Sequence, residues 1–167
     1  FFDVSAVKEI TLEANPDDIT AEYAEALAKT RVNRVSLGIQ SFDDEVLKLM
    51  NRRHTAEVAR TAVRTLRRAG IENISVDVIF GIAGYGGASL EHTLEEAVNL
   101  DVEHISAYHL TIEERTRLGL MTRKGEYIPV SDDVSETEYM AVHNAFTAAG
   151  YEHYEVSNYA LEGCRAK

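Results

Sequence analysis

Arg34-Val35-Ser36-Leu37-Gly38-Ile39-Gln40-Ser41-Phe42 is a short apolar run with β-branched Val35 and Ile39, and its last strand-like position is a polar group, Gln40. That is the composition of a buried strand whose C-terminal end carries an amide where an apolar residue would be expected. Parallel α/β folds build sites in this way. The loops that follow their strands open on one face, so polar residues at those ends converge on a single pocket. The neighbours of this stretch decide whether the chain has such a sheet.

On its N-terminal side, Glu9 to Ala14 alternates with apolar Ile10 and Leu12 and carries Glu13 near its end. It then meets Asn15-Pro16-Asp17-Asp18, a turn cluster that must end the strand. Ile19, Tyr23, Ala26 and Leu27 recur at helical spacing, with Thr20 as the N-cap. On the C-terminal side, Asp43 to Met50 reads as a short helix, followed by Asn51-Arg52-Arg53-His54. Thr55 caps a second helix with Val58, Ala62, Val63, Leu66 and Ala69 as its buried stripe, and Gly70 stops it. The next strand, Asn73 to Phe80, puts Ile74, Val76, Val78 and Phe80 on one face and Ser75, Asp77 and Ile79 on the other. Gly81 to Ala88 is a glycine-rich loop, and a helix runs from Ser89 or Leu90 to Leu100. A fourth strand spans His104 to Ile112, and Glu113 to Pro129 is a long irregular connection. A helix over Ser131 to Ala149 ends at Gly150, and Tyr151 to Val156 reads as a last strand. Strands alternating with helices imply βαβ units and a parallel sheet. A closed eight-stranded barrel takes about 250 residues, so 167 residues fit a part-barrel or a portion of one.

Composition narrows the function. With 17 Lys plus Arg against 28 Asp plus Glu, the net charge is -11 and no basic cluster offsets it, which argues against nucleic acid. No apolar run approaches the roughly 20 residues of a membrane span, and a cytoplasmic location is expected. The lone Cys164 excludes an internal disulfide and any multi-cysteine metal site within these residues. The glycine loop has neither dinucleotide-fingerprint nor P-loop spacing. The chain opens at Phe1 without a methionine, like the interior of a longer protein.

Five blocks in order, EITLEANP from Glu9, RVSLGIQSFDDEVLKLMNRRHT from Arg34, ISVDVIFGIAG from Ile74, HISAYHLTIEERTRLG from His104 and AGYEHYEVSNYA from Ala149, carry a family resemblance. The chain resembles the radical S-adenosylmethionine proteins of the oxygen-independent coproporphyrinogen III oxidase family, and most nearly their haem chaperone branch. The resemblance implies a parallel (β/α)6 part-barrel, TIM-barrel-like, of which these would be the third to sixth strands. Residues 1–112 would be the later portion of that barrel, and 113–167 a connection and the start of a smaller C-terminal region. It implies S-adenosylmethionine and a 4Fe-4S cluster as cofactors of the whole protein. The family's CxxxCxxC cluster motif would lie upstream of Phe1 and its His-Asn motif beyond Lys167.

By the same resemblance four residues face the cofactor, and each has a plainer alternative. Glu13 matches a strand-end glutamate that contacts S-adenosylmethionine; alternatively it serves the N-terminus of the next helix. Gln40 matches a position near the cofactor, or is a buried amide tying two loops. Arg52 matches an arginine that pairs with a carboxylate, or is a solvated charge beside Arg53. Asp77 matches an inward-facing strand carboxylate, or forms an internal salt bridge. His109 and His153 read as hydrogen-bonded core histidines. Tyr108, Tyr151, Tyr154 and Tyr159 could line a porphyrin but as strand aromatics read as core. The acidic run Ser131 to Glu138 reads as a solvated helix start. Two departures from the family stand out. Gly81-Ile82-Ala83-Gly84-Tyr85-Gly86 replaces a usual GLPG followed by Gln-Thr, which frees the loop by about 0.4–1 kcal/mol, and Arg115 replaces a usual glycine.

The resemblance implies one of two functions for the whole protein: a chaperone that binds haem and passes it to an acceptor protein, which the fourth and fifth blocks favour, or oxidative decarboxylation of a porphyrinogen. The 167-residue chain by itself is expected to be inactive. Anaerobic reconstitution of it with iron and sulfide should give no cluster absorption. A yield of roughly four irons per chain, the content of a 4Fe-4S cluster, would overturn the reading of Cys164 as a bystander.

Overall fold

A computed structural model describes residues 6–167; the opening Phe1 to Ser5 stretch lies outside the described residues. The elements are β1 (Thr11–Ala14), α1 (Ala21–Leu27), β2 (Arg34–Gln40), α2 (Asp44–Leu49), α3 (Ala56–Arg68), β3 (Ile74–Phe80), α4 (Ala88–Asn99), β4 (His104–His109), α5 (Arg117–Arg123), α6 (Asp132–Ala148), β5 (Glu152–Glu155) and β6 (Asn158–Ala160). A single 3-10 turn, Pro16–Asp18, follows β1. The helices begin where short polar side chains can satisfy their free amides: Thr20 accepts from Tyr23 N, Thr55 from Val58 N and Ser131 from Val134 N. Gly70 and Gly150, at φ 89° and 90°, take the left-handed positions that end α3 and α6.

The sheet runs β1-β2-β3-β4-β6-β5. Its first four strands are parallel, with Glu13 beside Ser36, Ser36 beside Ser75, and Asp77 beside Ser106. Period-two alternation then sorts the side chains. Val35, Leu37 and Ile39 of β2, Ile74, Val76 and Val78 of β3, and Ile105 of β4 are buried beneath the helices, with Ala59, Ala62, Val63 and Leu66 of α3 in the same core. A fully buried side chain such as Leu66 contributes about 1.5–3 kcal/mol by leaving water. The opposite face collects Ser36, Gly38 and Gln40 from β2, Ser75 and Asp77 from β3, and His104 and Ser106 from β4. One face is therefore apolar and covered, the other polar and concave.

Tyr151 to Val156 does hold a strand, β5, but it is the outer arm of an antiparallel hairpin whose inner arm, the unforeseen β6, pairs with β4 and departs from the parallel order of the rest. β4 stops at His109, three residues short of the expected Ile112. The hairpin turn between Glu155 and Asn158 lets the chain return without a helix, and Tyr159 of β6 is buried against Phe146 of α6.

At the N-terminal ends of the strands the floor is closed by polar contacts. Arg34 is buried, lies 3.1 Å from Glu9 and donates to the carbonyl of Cys164 at 2.8 Å. Ser75 bonds His104 Nδ1 at 2.7 Å, and His104 Nε2 bonds the Tyr154 hydroxyl at 2.8 Å. Burial, and then the Arg34 charge, push His104 down to about 4, with Glu9 opposing, so it is neutral at physiological pH.

Among the described residues β1 pairs with β2 alone. Ile10 O already accepts from Asn33 N and Arg34 N, so by strand alternation the amides of Thr11 and Glu13 point to the open edge. The isolated chain should self-associate through this edge. Size-exclusion chromatography should show concentration-dependent dimers that Thr11→Pro abolishes, and a monomer at all concentrations with strongly protected Thr11 and Glu13 amides would refute it.

Candidate functional site

The C-terminal ends of β1, β2 and β3 open on a pocket of about 340 Å³ whose walls include Glu13, Gln40, Arg52 and Asp77. All four residues singled out in the sequence are thus brought together. They arrive from separate elements, for separate local reasons.

Glu13 faces the pocket because its neighbour Leu12 packs against the core on the other side of β1. Gln40 ends β2 in the left-handed region at φ 71°, where a non-glycine residue stores about 1–3 kcal/mol of strain. The register between β2 and β3 slips there as well, between Leu37 and Gln40. Both features turn the amide into the pocket mouth. Gly38 makes room for it: a Cβ on Gly38 would sit 2.8 Å from Gln40 Nε2 and 3.2 Å from Arg52 Nη2. A side chain there would displace the ends of both groups from these positions.

Arg52 is no solvated charge. Its Nη2 donates to Asn15 Oδ1 and to Gly38 O, each at 2.9 Å, which joins the connection after α2 to the ends of β1 and β2. Arg53, by contrast, is mostly exposed and pairs with Asp17 and Asp18. The connection is pinned a second time by His54, which is buried and bonds the Ile39 carbonyl through Nε2 at 2.9 Å. A carbonyl only accepts, so Nε2 carries the proton; burial, foremost, lowers the His54 pKa and favours this neutral form. Nothing in the spacing of Arg52-Arg53-His54 marks which of the three turns inward, and sequence reasoning passed over His54.

Asp77 lies on the inner face of β3, half-buried, with Ser36 Oγ donating to Oδ1 at 3.4 Å and Ser106 also bonding it. Among the described residues it has no ion pair within salt-bridge distance, so the expected alternative of an internal salt bridge is not what holds it. Burial pushes its carboxyl up to about 6, helped by the nearby Glu13 charge and opposed by the two serines and Arg52. The pocket thus offers two carboxylates as acceptors, one amide that both donates and accepts, and a guanidinium. Both hydrogens of Arg52 Nη2 are engaged, which leaves its Nε and Nη1 groups to meet an anionic group.

The remaining candidates divide. His109 is exposed rather than core, bonds Ser135 Oγ at 2.9 Å and meets the Phe80 ring edge-on. His153 stacks on Tyr159 at 4.3 Å and shares an Nδ1 to Nδ1 contact of 3.0 Å with His143. Tyr151 and Tyr159 are core, Tyr154 bonds His104 at the floor, and Tyr108 is 44% exposed, so the four tyrosines form no single aromatic face. The acidic run is solvated over Asp132 and Asp133 but not at its end: Glu138 is buried and accepts from Gly81 N at 2.7 Å. Its place four and eight residues before buried Val142 and Phe146, on the apolar stripe of α6, was the available signal. A larger groove between α4 and α6, lined by Leu94, Val98, Ala141 and Ala145 with Glu91, Glu95 and Asn99, lies outside the sheet, and all of its polar residues come from α4 alone.

Comparison with known proteins agrees with the fold. The model of the radical SAM superfamily matches residues 4–97. The heme chaperone HemW of Bacillus subtilis is 37% identical over 164 residues, 98% of this chain and 43% of that protein. HemW of Escherichia coli is 34% identical, covering 96% of this chain and 41% of that one. Among solved structures, coproporphyrinogen III oxidase (HemN) from Escherichia coli superposes with a TM-score of 0.77 at 22% identity, over 93% of this chain and 36% of that chain, a likeness of fold. The chain spans less than half the length of these relatives.

The raised Asp77 pKa has a definite sign. A carboxyl that titrates higher in the folded chain than in the unfolded one binds its proton more tightly when folded. Its contribution favours folding below about 3.8 and is lost as the pH rises through about 6. The separation is worth at most on the order of 3 kcal/mol, less because the pocket is open to water. Asp77→Asn should therefore stabilise the chain by about 1–2 kcal/mol at pH 7.5 and by almost nothing at pH 4. Urea denaturation across that range checks it, and a difference independent of pH would show that Asp77 is not held in this way.

Proposed function

The chain belongs to the radical SAM superfamily, and we propose that its pocket holds S-adenosylmethionine in a haem chaperone. The observation that carries this reading is the convergence of Glu13, Gln40, Arg52 and Asp77 on one pocket. The similarity to proteins named heme chaperones supports the choice of cargo.

The residues fit the cofactor chemically. S-adenosylmethionine presents an amino group, a carboxylate, a ribose diol and a sulfonium. Glu13 is an acceptor for an ammonium or a diol, the free face of Arg52 suits a carboxylate, and Asp77 gives a cationic ligand a counter-charge in a partly dry setting. The missing side chain at Gly38 lets the Gln40 amide and the Arg52 guanidinium lie close over β2, side by side in the pocket wall. Bound beside a reduced cluster, this cofactor supplies the one-electron chemistry of the superfamily. The cluster itself does not fit these residues: among the described residues no group of three His, Cys, Asp or Glu could hold a metal, and Cys164 lies at the floor, the far end from the pocket. The chain's own part is to bind and orient the cofactor. Residues 113–167, whose hairpin continues the barrel sheet, we keep as the connection and the start of a C-terminal region. Haem, and an acceptor protein for it, complete the proposal.

In the complete protein with its cluster reconstituted, Glu13→Ala and Asp77→Ala should each weaken S-adenosylmethionine binding by about tenfold or more, the loss of one charge-assisted contact. The melting temperature should stay close to that of the parent, and no lower for Asp77→Ala. A large loss of stability with unchanged affinity would assign the residue to the framework instead. Haem titration alongside a decarboxylation assay on coproporphyrinogen separates a chaperone from an oxidase.

A further inference from the structure

The glycine loop after β3, Gly81 to Ala88, has four glycines and no proline, which should leave it loose, yet it is held from outside. Glu138 of α6 projects a buried carboxylate into it and accepts from Gly81 N at 2.7 Å through Oε2. The Tyr127 hydroxyl accepts from Ala83 N at 3.0 Å, and Tyr85 N closes a turn onto Ile82 O. The other carboxylate oxygen of Glu138 lies against Gly86, where any Cβ would overlap it. Gly81 itself sits at φ 80° with the His109 ring in the space a side chain would need. Gly86 is thus the counterpart of the glutamate. A small cavity of about 10 Å³ bordered by Ser41, Ile79, Gly81, Tyr85 and Glu138 links this clasp to the residue after Gln40, on one side, and to the inner face of β3, on the other.

We propose that Glu138 is a positioning residue that fixes the glycine loop where β3 ends, beside the residue that follows Gln40, so that the pocket walls carried by β2 and β3 are set before a ligand arrives. The carboxylate supplies by a tertiary contact a stiffness that the loop's own residues do not. Binding then pays less of the cost of ordering the loop. A buried carboxylate bonded to a backbone amide is a strong, charge-assisted acceptor, and its removal leaves the Gly81 amide without a partner. The proposal rests on the pocket being the S-adenosylmethionine site.

The test uses the complete protein, cluster reconstituted, with Glu138→Ala, Glu138→Gln and Gly86→Ala. Two quantities are read: the S-adenosylmethionine dissociation constant and the hydrogen exchange of the Gly81 amide relative to amides within β3. Glu138→Ala should raise both by about tenfold or more, and Glu138→Gln, which keeps an acceptor, should stay within about threefold. Gly86→Ala should weaken binding in the parent by displacing the carboxylate, and should add nothing in the Glu138→Ala background. If Glu138→Ala does not fold, the folded Gly86→Ala and Glu138→Gln proteins decide. Unchanged affinity and unchanged Gly81 exchange in Gly86→Ala overturn the proposal, as does a Gln variant as impaired as the Ala variant while its fold is intact. A parent protein that does not bind S-adenosylmethionine but keeps the exchange contrast would sink the reading of the pocket and leave the clasp standing.

Discussion

The burial of Val35, Leu37 and Ile39 under the helices is the constraint on which the rest depends. Three apolar side chains at alternate positions can leave water only if that face of β2 is covered, and a strand has just two faces. Ser36, Gly38 and Gln40 are thereby committed to the other side. The same sorting in β3 commits Asp77, and the parallel register aligns it with Ser106 of β4. The pocket follows from where the core must be. Its polar residues need no force of their own to bring them together, and several are there at a cost to stability, as the strained Gln40 backbone and the half-buried Asp77 carboxyl show.

Much of this was legible in the sequence because the signals were local and redundant. Period-two runs gave β2 and β3, and Thr20, Thr55 and Ser131 opened helices as their hydroxyls dictate. Gln40 was marked by pattern, as the polar end of an apolar strand, but the set of four as cofactor-facing residues came from resemblance; Arg52 in particular looks in sequence like any arginine beside another. What was not legible depends on contacts between distant segments. β6 has three residues, too few for a period, and its identity as a strand comes only from pairing with β4. His54 is fixed by a carbonyl on β2 that no spacing reveals. Glu138 was read as solvent-facing because its neighbours Asp132, Asp133 and Glu136 are, although helical geometry sets it about 200° round the axis from Glu136, onto the stripe of Val142 and Phe146.

The two ends of the sheet are managed differently. At the floor, charges and imidazole are buried and internally bonded: Arg34 with Glu9 and the Cys164 carbonyl, His104 between Ser75 and Tyr154. At the mouth, carboxylates and a guanidinium remain open to solvent and to one another. A buried, largely bonded network rigidifies the strands even though Arg34 Nη1 has no partner among the described residues, whereas an open set of donors and acceptors is available to a ligand. The floor thus supplies the stiffness that lets the mouth stay incomplete.

One consequence of the Asp77 environment lies in the thermodynamics of binding rather than in geometry. Near pH 6 about half of its carboxyls carry a proton. A cation entering the pocket competes with that proton and expels it into the medium, so the heat of association includes the heat of ionising whichever buffer accepts it. The apparent enthalpy measured in phosphate and in an amine buffer would differ by the fraction of a proton released, which turns this one side chain into a calorimetric counter of occupancy.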